Sequence, residues 1–494
     1  MIINSIDNRF NVEEIDIWDF KEIKFVEILF STAIYSLLII SILFLKTIGL
    51  IVLFVYIFFS LYFNKGNLEF IVVAILVIST NVLEFAQIDS LPYLQIIPGV
   101  RFNALDLLII PVSISAFLKI SKQKNNKYPS EWIIQFMVVL AIIYFFVGVL
   151  LNKGDWREAG SNYLRYLVYP AAYYIFLNYF QKKENILRLF YILGIFVFIG
   201  LVIQLYESFL DHRLVIPGLA PLGAGFEEKG LRIMTSGGKK LYLLSRVTLF
   251  AYFVDAIGVS LIFNKNNINR IYYLFVLSGI LTFLIAGVRI WMVIIFCLVL
   301  IIYLASHSSG KKRRGYLIIP LFIVLIYLIL SSIDNNLAKV SFIDMLQGRI
   351  NSIFSLGNTY GEQDTFTVRV LITQVLFDKI LQSPIVGWGF GENIIGYYYN
   401  SDVGMINRFL MFGLLGGIPL LIYFFKYSIK LVKNIRKNYH FSSIVLISVL
   451  GFVISHFIGY CFQIDFWTRE WVISSVLFIA AGDRILYLKL YSSC

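Results

Sequence analysis

Ten arginines stand out by residue type and position. Arg101, Arg157, Arg165, Arg232, Arg246, Arg289, Arg349, Arg369, Arg408 and Arg469 lie at one set of ends of the apolar runs, or in the loops beyond them. A guanidinium presents a fixed fork of donors that matches phosphate oxygens bidentately, and it stays charged at any relevant pH. Arginines lining one cavity would suit the phosphate or pyrophosphate of a lipid-linked molecule. A single arginine near a helix end more simply snorkels to headgroups or pairs with an acid. Arg101 and Arg157, in evident loops, fit that simpler reading. Arg165, Arg246 and Arg289 lie against or within apolar runs, where charge is costly unless it faces a cavity. The stretch "LIAGVRIWMVII" at 284–295, interrupted by Arg289, is the sharpest case.

Transfer to a hydroxyl also needs a group that accepts its proton, and a carboxylate or histidine beside the cavity can do this. Acids near the arginine-bearing ends include Glu84, Asp89, Asp106, Glu207, Asp211, Glu227, Glu228, Asp255, Asp402 and Asp465; spacing selects none of them. No DxD-like pair or GxGxxG loop occurs, and "GWGFGEN" at 387–393 follows "SP" in a loop, so it reads as a turn. Cys297, Cys461 and Cys494 lack CxxC spacing, and His212, His307, His440 and His456 are scattered. Neither a disulfide framework nor a zinc site is expected from them.

The elements that must position these groups are membrane helices. Of 494 residues, 59% are hydrophobic and 15% charged, well outside the soluble range. Apolar runs long enough to cross a bilayer recur from Phe25 onward. The fold expected is an all-α polytopic membrane protein of about 12–14 transmembrane helices. The spans fall near 27–45, 47–63, 68–88, 104–118, 131–151, 162–180, 186–209, 241–263, 270–286, 290–305, 316–333, 405–425, 443–463 and 467–488. Whether 27–63 forms one tilted helix or two stays open. Lysine-rich loops (Lys119, Lys122, Lys124 and Lys127; Lys182 and Lys183; "KKRR" at 311–314; Lys426, Lys430 and Lys433) face the cytoplasm by the positive-inside rule, which leaves the arginines outside. That distribution explains the net charge of +12 through orientation and lipid headgroups, without nucleic acid. The chain thus divides into a cytoplasmic tail (1–26) without the pattern of a secretory signal, helices 1–11 (27–333), a large partly helical extracytoplasmic loop (334–404), and helices 12–14 with a cytoplasmic C-terminus (405–494).

Four segments, in order, carry a resemblance: "IIPGVRFNALDLLII" (96–110), "GLRIMTSGG" (230–238), "LIAGVRIWM" (284–292) and "VRVLITQVLFDKILQSPIVGWGFGEN" (368–393). "DVGMINRFLMFGLLGGIPLLIYF" (402–424) follows them. Together they resemble the bacterial O-antigen ligase and O-antigen (exopolysaccharide) polymerase superfamily. The family's "SR..W" element is matched with Val288 in place of the small polar residue, and Asp402 occupies its histidine position.

The resemblance implies a GT-C-like, metal-independent membrane glycosyltransferase without a cofactor, its donor an undecaprenyl-pyrophosphate-linked glycan in the outer leaflet of the bacterial cytoplasmic membrane. The acceptor is another lipid-linked repeat unit in a polymerase, or a lipid A core sugar in a ligase. Membrane lipid, a chain-length regulator and a flippase are the partners it implies. On this reading Arg289, Arg369 and Arg232 contact pyrophosphate, Arg165 and Arg246 come next, and Asp402 is the acceptor-side base. Asp402 can equally cap the helix starting near 405. Trp291 reads as an interfacial anchor, and Gly387, Gly389 and Gly391 as turn glycines. A lipid-linked oligosaccharide flippase is the rival from another class. It has no need of a large folded loop, and no internal repeat of the transporter kind is evident.

Overall fold

A computed structural model describes residues 25–62, 67–79, 93–97, 100–103, 109, 114, 117–118, 128–152, 154–182, 184–210, 234–236, 239–241, 247–264, 269–286, 289–307, 375–390, 404–435, 441–462 and 469–492. Its long helices are α1 (Phe25–Phe44), α2 (Lys46–Tyr62), α3 (Leu68–Ser79), α4 (Glu131–Phe146), α5 (Trp156–Tyr179), α6 (Glu184–Leu210), α7 (Val247–Asn264), α8 (Arg270–Ala286), α9 (Arg289–His307), α10 (Gly404–Ile435), α11 (Phe441–Phe462) and α12 (Arg469–Ser492). Two short antiparallel hairpins, β1 (Tyr93–Ile97) with β2 (Val100–Asn103) and β3 (Met234–Ser236) with β4 (Lys239–Leu241), lie between helices. The expected spans 104–118 and 316–333 fall wholly or largely outside the described residues.

Five described helices contain stretches long and apolar enough to cross a membrane: Phe25–Ile42, Glu131–Leu151, Glu184–Leu205, Met405–Ile435 and Ser442–Gly459. The chain is a helical membrane protein. α7 packs against α6, α8, α9, α11 and α12, which explains why it is apolar on all sides and buried from Phe250 through Leu261. Perimeter helices instead expose large apolar side chains, among them Phe30 and Leu37 on α1 and Phe425 on α10, as a lipid-facing surface does.

The stretch 27–63 forms two helices. Tyr35 on α1 and Tyr56 on α2 both pack edge-on against Phe70 of α3, at 5.5 Å and 5.4 Å between centroids. They sit at similar distances on either side of Leu45, so the chain must double back there. Arg188 of α6 pins this hairpin and α3 to the bundle, 3.8 Å from Glu27 and 3.4 Å from Glu69.

Candidate functional site

Three helices depart from regular geometry. α4 runs into a π-helical turn at Val147–Leu151, α5 contains Pro170, and α10 is broken at Gly413, whose φ of 56° and ψ of −159° are non-helical. Pro170 has no N–H to give the carbonyl of Tyr166, which leaves α5 a weak point there.

The break in α10 is filled by the segment that precedes the helix in sequence. Residues 375–382 form a short helix, and 383–390 then cross the gap. The Trp388 N–H donates to the Leu410 carbonyl (2.9 Å) and the Gly389 N–H to that of Met411 (2.9 Å), replacing donors that a continuous helix would supply. Below the break, the N–H groups of Leu414 and Leu415 donate to the carbonyls of Pro384 (2.9 Å) and Ile385 (3.1 Å). Irregular backbone is tolerated at membrane depth where protein satisfies it in this way.

On its other side the segment docks on α4. Phe390 N–H donates to the Tyr144 carbonyl (3.0 Å), Asn152 Nδ2 donates to that of Trp388 (2.6 Å), and the Tyr144 hydroxyl donates to that of Phe412. Gly387 and Gly389 have φ of 74° and 73°, and a Cβ on either would strike backbone of α10 or α4. Both glycines thus serve a turn and a close backbone approach, in keeping with the turn reading; Gly391 lies outside the described residues.

Beneath this crossing lies a cavity of about 110 Å³ between α4, α10, α11 and α12. Arg408, His456 and Ser475 line its upper part, Tyr423 and Tyr427 its far end, and Met137, Leu420 and Val453 the apolar wall between. Arg408 is 7% exposed, its guanidinium 5.1 Å from the ring centre of Tyr166 and 5.9 Å from that of Phe412. His456 stacks on Phe452 (4.8 Å), which stacks on Phe478 (3.9 Å), and its Nε2 lies 3.5 Å from Ser475 Oγ. The arrangement is an apolar slot headed by a cation. An anionic headgroup carrying a hydrocarbon chain fits that chemistry.

At the opposite end Asp483 of α12, fully buried, accepts from the Ser130 N–H (2.8 Å), the Ser130 hydroxyl (3.0 Å) and the Tyr173 hydroxyl (2.7 Å). Ser130 has one hydroxyl proton and gives it to Asp483, so in the 2.6 Å contact Tyr423 is the donor to Ser130. This network ties α5, α10 and α12 to the start of α4. Nearby, burial raises the Tyr128 phenol above its ordinary value, against the opposing pull of the Arg484 guanidinium.

Of the residues singled out from sequence, Arg232, Arg246, Arg369 and Asp402 lie outside the described residues. Arg289 opens α9 three residues after α8 ends, at the expected division of "LIAGVRIWMVII", and Arg165 lies within α5; nothing is described of their side chains or that of Trp291. Arg157 is exposed, but in the first turn of α5 rather than in a loop, because Asp155 caps that helix by accepting from the Arg157 N–H (2.9 Å). Asp255 is fully buried on α7, and among the described residues no hydrogen-bond donor reaches its carboxylate. His456 and Ser475 had no place in the sequence reading of the site. A histidine inside the apolar run "LGFVISHFIGY" was the available signal, since polar groups at membrane depth mark function more often than loop residues do.

Fold and cavity define a helical membrane protein with a cation-headed apolar slot. No known protein family matches this chain, and no curated protein matches it.

Proposed function

We propose that the chain is a membrane glycosyltransferase that polymerises undecaprenyl-pyrophosphate-linked oligosaccharide units into O-antigen or exopolysaccharide at the outer side of the cytoplasmic membrane. The observation that carries the reading is the buried Arg408 at the head of an apolar cavity beneath the crossing segment 383–390. The order of sequence segments resembling the polymerase and ligase superfamily supports it. In such a reaction the leaving group already bears pyrophosphate. The enzyme must mainly neutralise its developing charge and hold the acceptor hydroxyl in line. Arg408, together with the arginines of the sequence reading, Arg289, Arg369, Arg232, Arg165 and Arg246, would supply the charge, and Asp402 or another base would take the proton.

The test is reconstitution of the full chain in vesicles with a polyprenyl-pyrophosphate-linked repeat unit as sole substrate. Elongation without any core acceptor is expected. Movement of the unit across the bilayer without elongation would identify a flippase instead, and transfer seen only in a parallel reaction with a lipid A core added would identify a ligase.

A further inference from the structure

The geometry points to His456 as the base that takes the proton of the acceptor hydroxyl, an assignment that rests on the glycosyltransferase reading. The imidazole lines the same cavity as Arg408, the cation that would hold the leaving pyrophosphate. It lies six residues before the end of α11, beside Ser475 of α12 on the wall that Arg408 of α10 shares. Its ring plane is fixed by Phe452, itself held face-to-face against Phe478. Ser475 Oγ, 3.5 Å from Nε2, is the polar neighbour on α12, and the other titratable or charged groups lining the cavity are Arg408 and the phenols of Tyr169, Tyr423 and Tyr427. No lining residue is a carboxylate, so imidazole is the one ordinary proton acceptor among those described around the cavity.

In the step assigned, the acceptor oxygen forms a bond to the anomeric carbon and gives its proton to an imidazole nitrogen. The bond from that carbon to the pyrophosphate oxygen breaks, and its electron pair leaves on the pyrophosphate beside Arg408. Charge separates between two groups that the fold already places on one cavity, and no metal or redox partner enters the balance.

The experiment uses the full chain in vesicles with a radiolabelled polyprenyl-pyrophosphate-linked repeat unit, measuring donor binding and elongation separately. For His456→Ala and His456→Gln, donor affinity within about threefold of wild type and elongation at saturating donor reduced by about 100-fold or more are expected. Added imidazole should restore part of the elongation in His456→Ala, where space has been opened. Arg408→Ala serves as the comparison and should lose donor affinity. Wild-type elongation by His456→Gln, with Arg408→Ala defective in binding, overturns the base while leaving the glycosyltransferase standing. Wild-type binding and elongation by Arg408→Ala would instead remove the Arg408 observation on which that reading rests. Failure of both His456 variants to fold would make the imidazole a packing group and overturn the assignment.

Discussion

Substituting Gly389 by alanine tests whether segment 383–390 is locked to α4 as its geometry requires. An alanine there must hold a φ near 73°, which costs an L-residue about 1–2 kcal/mol. Its Cβ would lie 2.5 Å from Gly148 N and 2.6 Å from the Tyr144 carbonyl oxygen, both backbone atoms that cannot swing aside. Relief means lifting the segment off α4. That breaks the Phe390 to Tyr144 and Asn152 to Trp388 hydrogen bonds, each worth about 1 kcal/mol net. The sum is roughly 3–4 kcal/mol. Gly148→Ala meets the same interface from the other side, its Cβ 2.1 Å from the Phe390 carbonyl oxygen, but in helical backbone without the φ penalty. It should cost roughly 2 kcal/mol, and the double variant little more than Gly389→Ala alone, since the contact can be lost only once. Thermal unfolding of purified protein gives the energies, and hydrogen exchange over 384–390 reports whether the Phe390 amide, the one bonded to α4, loses protection. Wild-type melting and protection in Gly389→Ala, or additive losses in the double variant, would refute the lock.

Asp483→Asn replaces an acceptor oxygen by an amide NH2 group, a donor facing the Ser130 and Tyr173 donors, and should cost about 1–3 kcal/mol by the same melting assay. Arg188→Ala should cost roughly 1–3 kcal/mol, because the Glu27 pair is largely exposed and screened but Glu69, 3.4 Å away and mostly buried, would lose its cation; an unchanged melt would show that the α1–α2 hairpin and α3 do not depend on it. Arg408→Lys should behave nearly as Arg408→Ala in donor binding, since an ammonium lacks the guanidinium's fork of donors for phosphate oxygens; lysine restoring full binding would reduce Arg408 to a point charge. Arg289→Ala and Arg369→Ala should abolish polymer formation while the protein still inserts, and a wild-type chain-length distribution in either would remove them from the site.

Four helices were legible in their apolar runs, since α6, α8, α9 and α11 lie within about two residues of where those runs put them, and of these α6 and α11 are long and apolar enough to cross a membrane. Hydropathy finds the apolar middle of a helix, not its ends. The polar first turns "WREAGSN" therefore read as loop, although Asp155 caps α5 ahead of them, and α10 continues past 425 through Lys426, Lys430 and Lys433 to Ile435. Nothing in "RFLMFGLLGGIPLLIYFF" announces a break at Gly413 rather than at Gly416 or Gly417. The choice is tertiary: only at Gly413 do 384–389 offer donors and acceptors to both halves of the helix. His456 escaped for a related reason. Its neighbours Arg408 and Ser475 come from other helices, and no spacing along the chain pairs them.

The break also determines how the cavity can change shape. Arg408 stands on the piece of α10 before Gly413, whereas Tyr423 and Tyr427 stand on the piece after it, so the cavity spans the joint. Segment 383–390 bonds to both pieces, to Leu410 and Met411 on one side and to Leu414 and Leu415 on the other. The angle between the pieces, and with it the separation of the guanidinium from the tyrosines, is therefore set by whether the segment is docked. A ligand that prefers one separation must favour docking or oppose it by the same free energy with which docking alters its affinity. Gly387→Ala, whose Cβ would lie 2.5 Å from Gly413 N and from the Met411 carbonyl oxygen of α10, should thus change donor affinity as well as stability, although residue 387 lies outside the cavity lining.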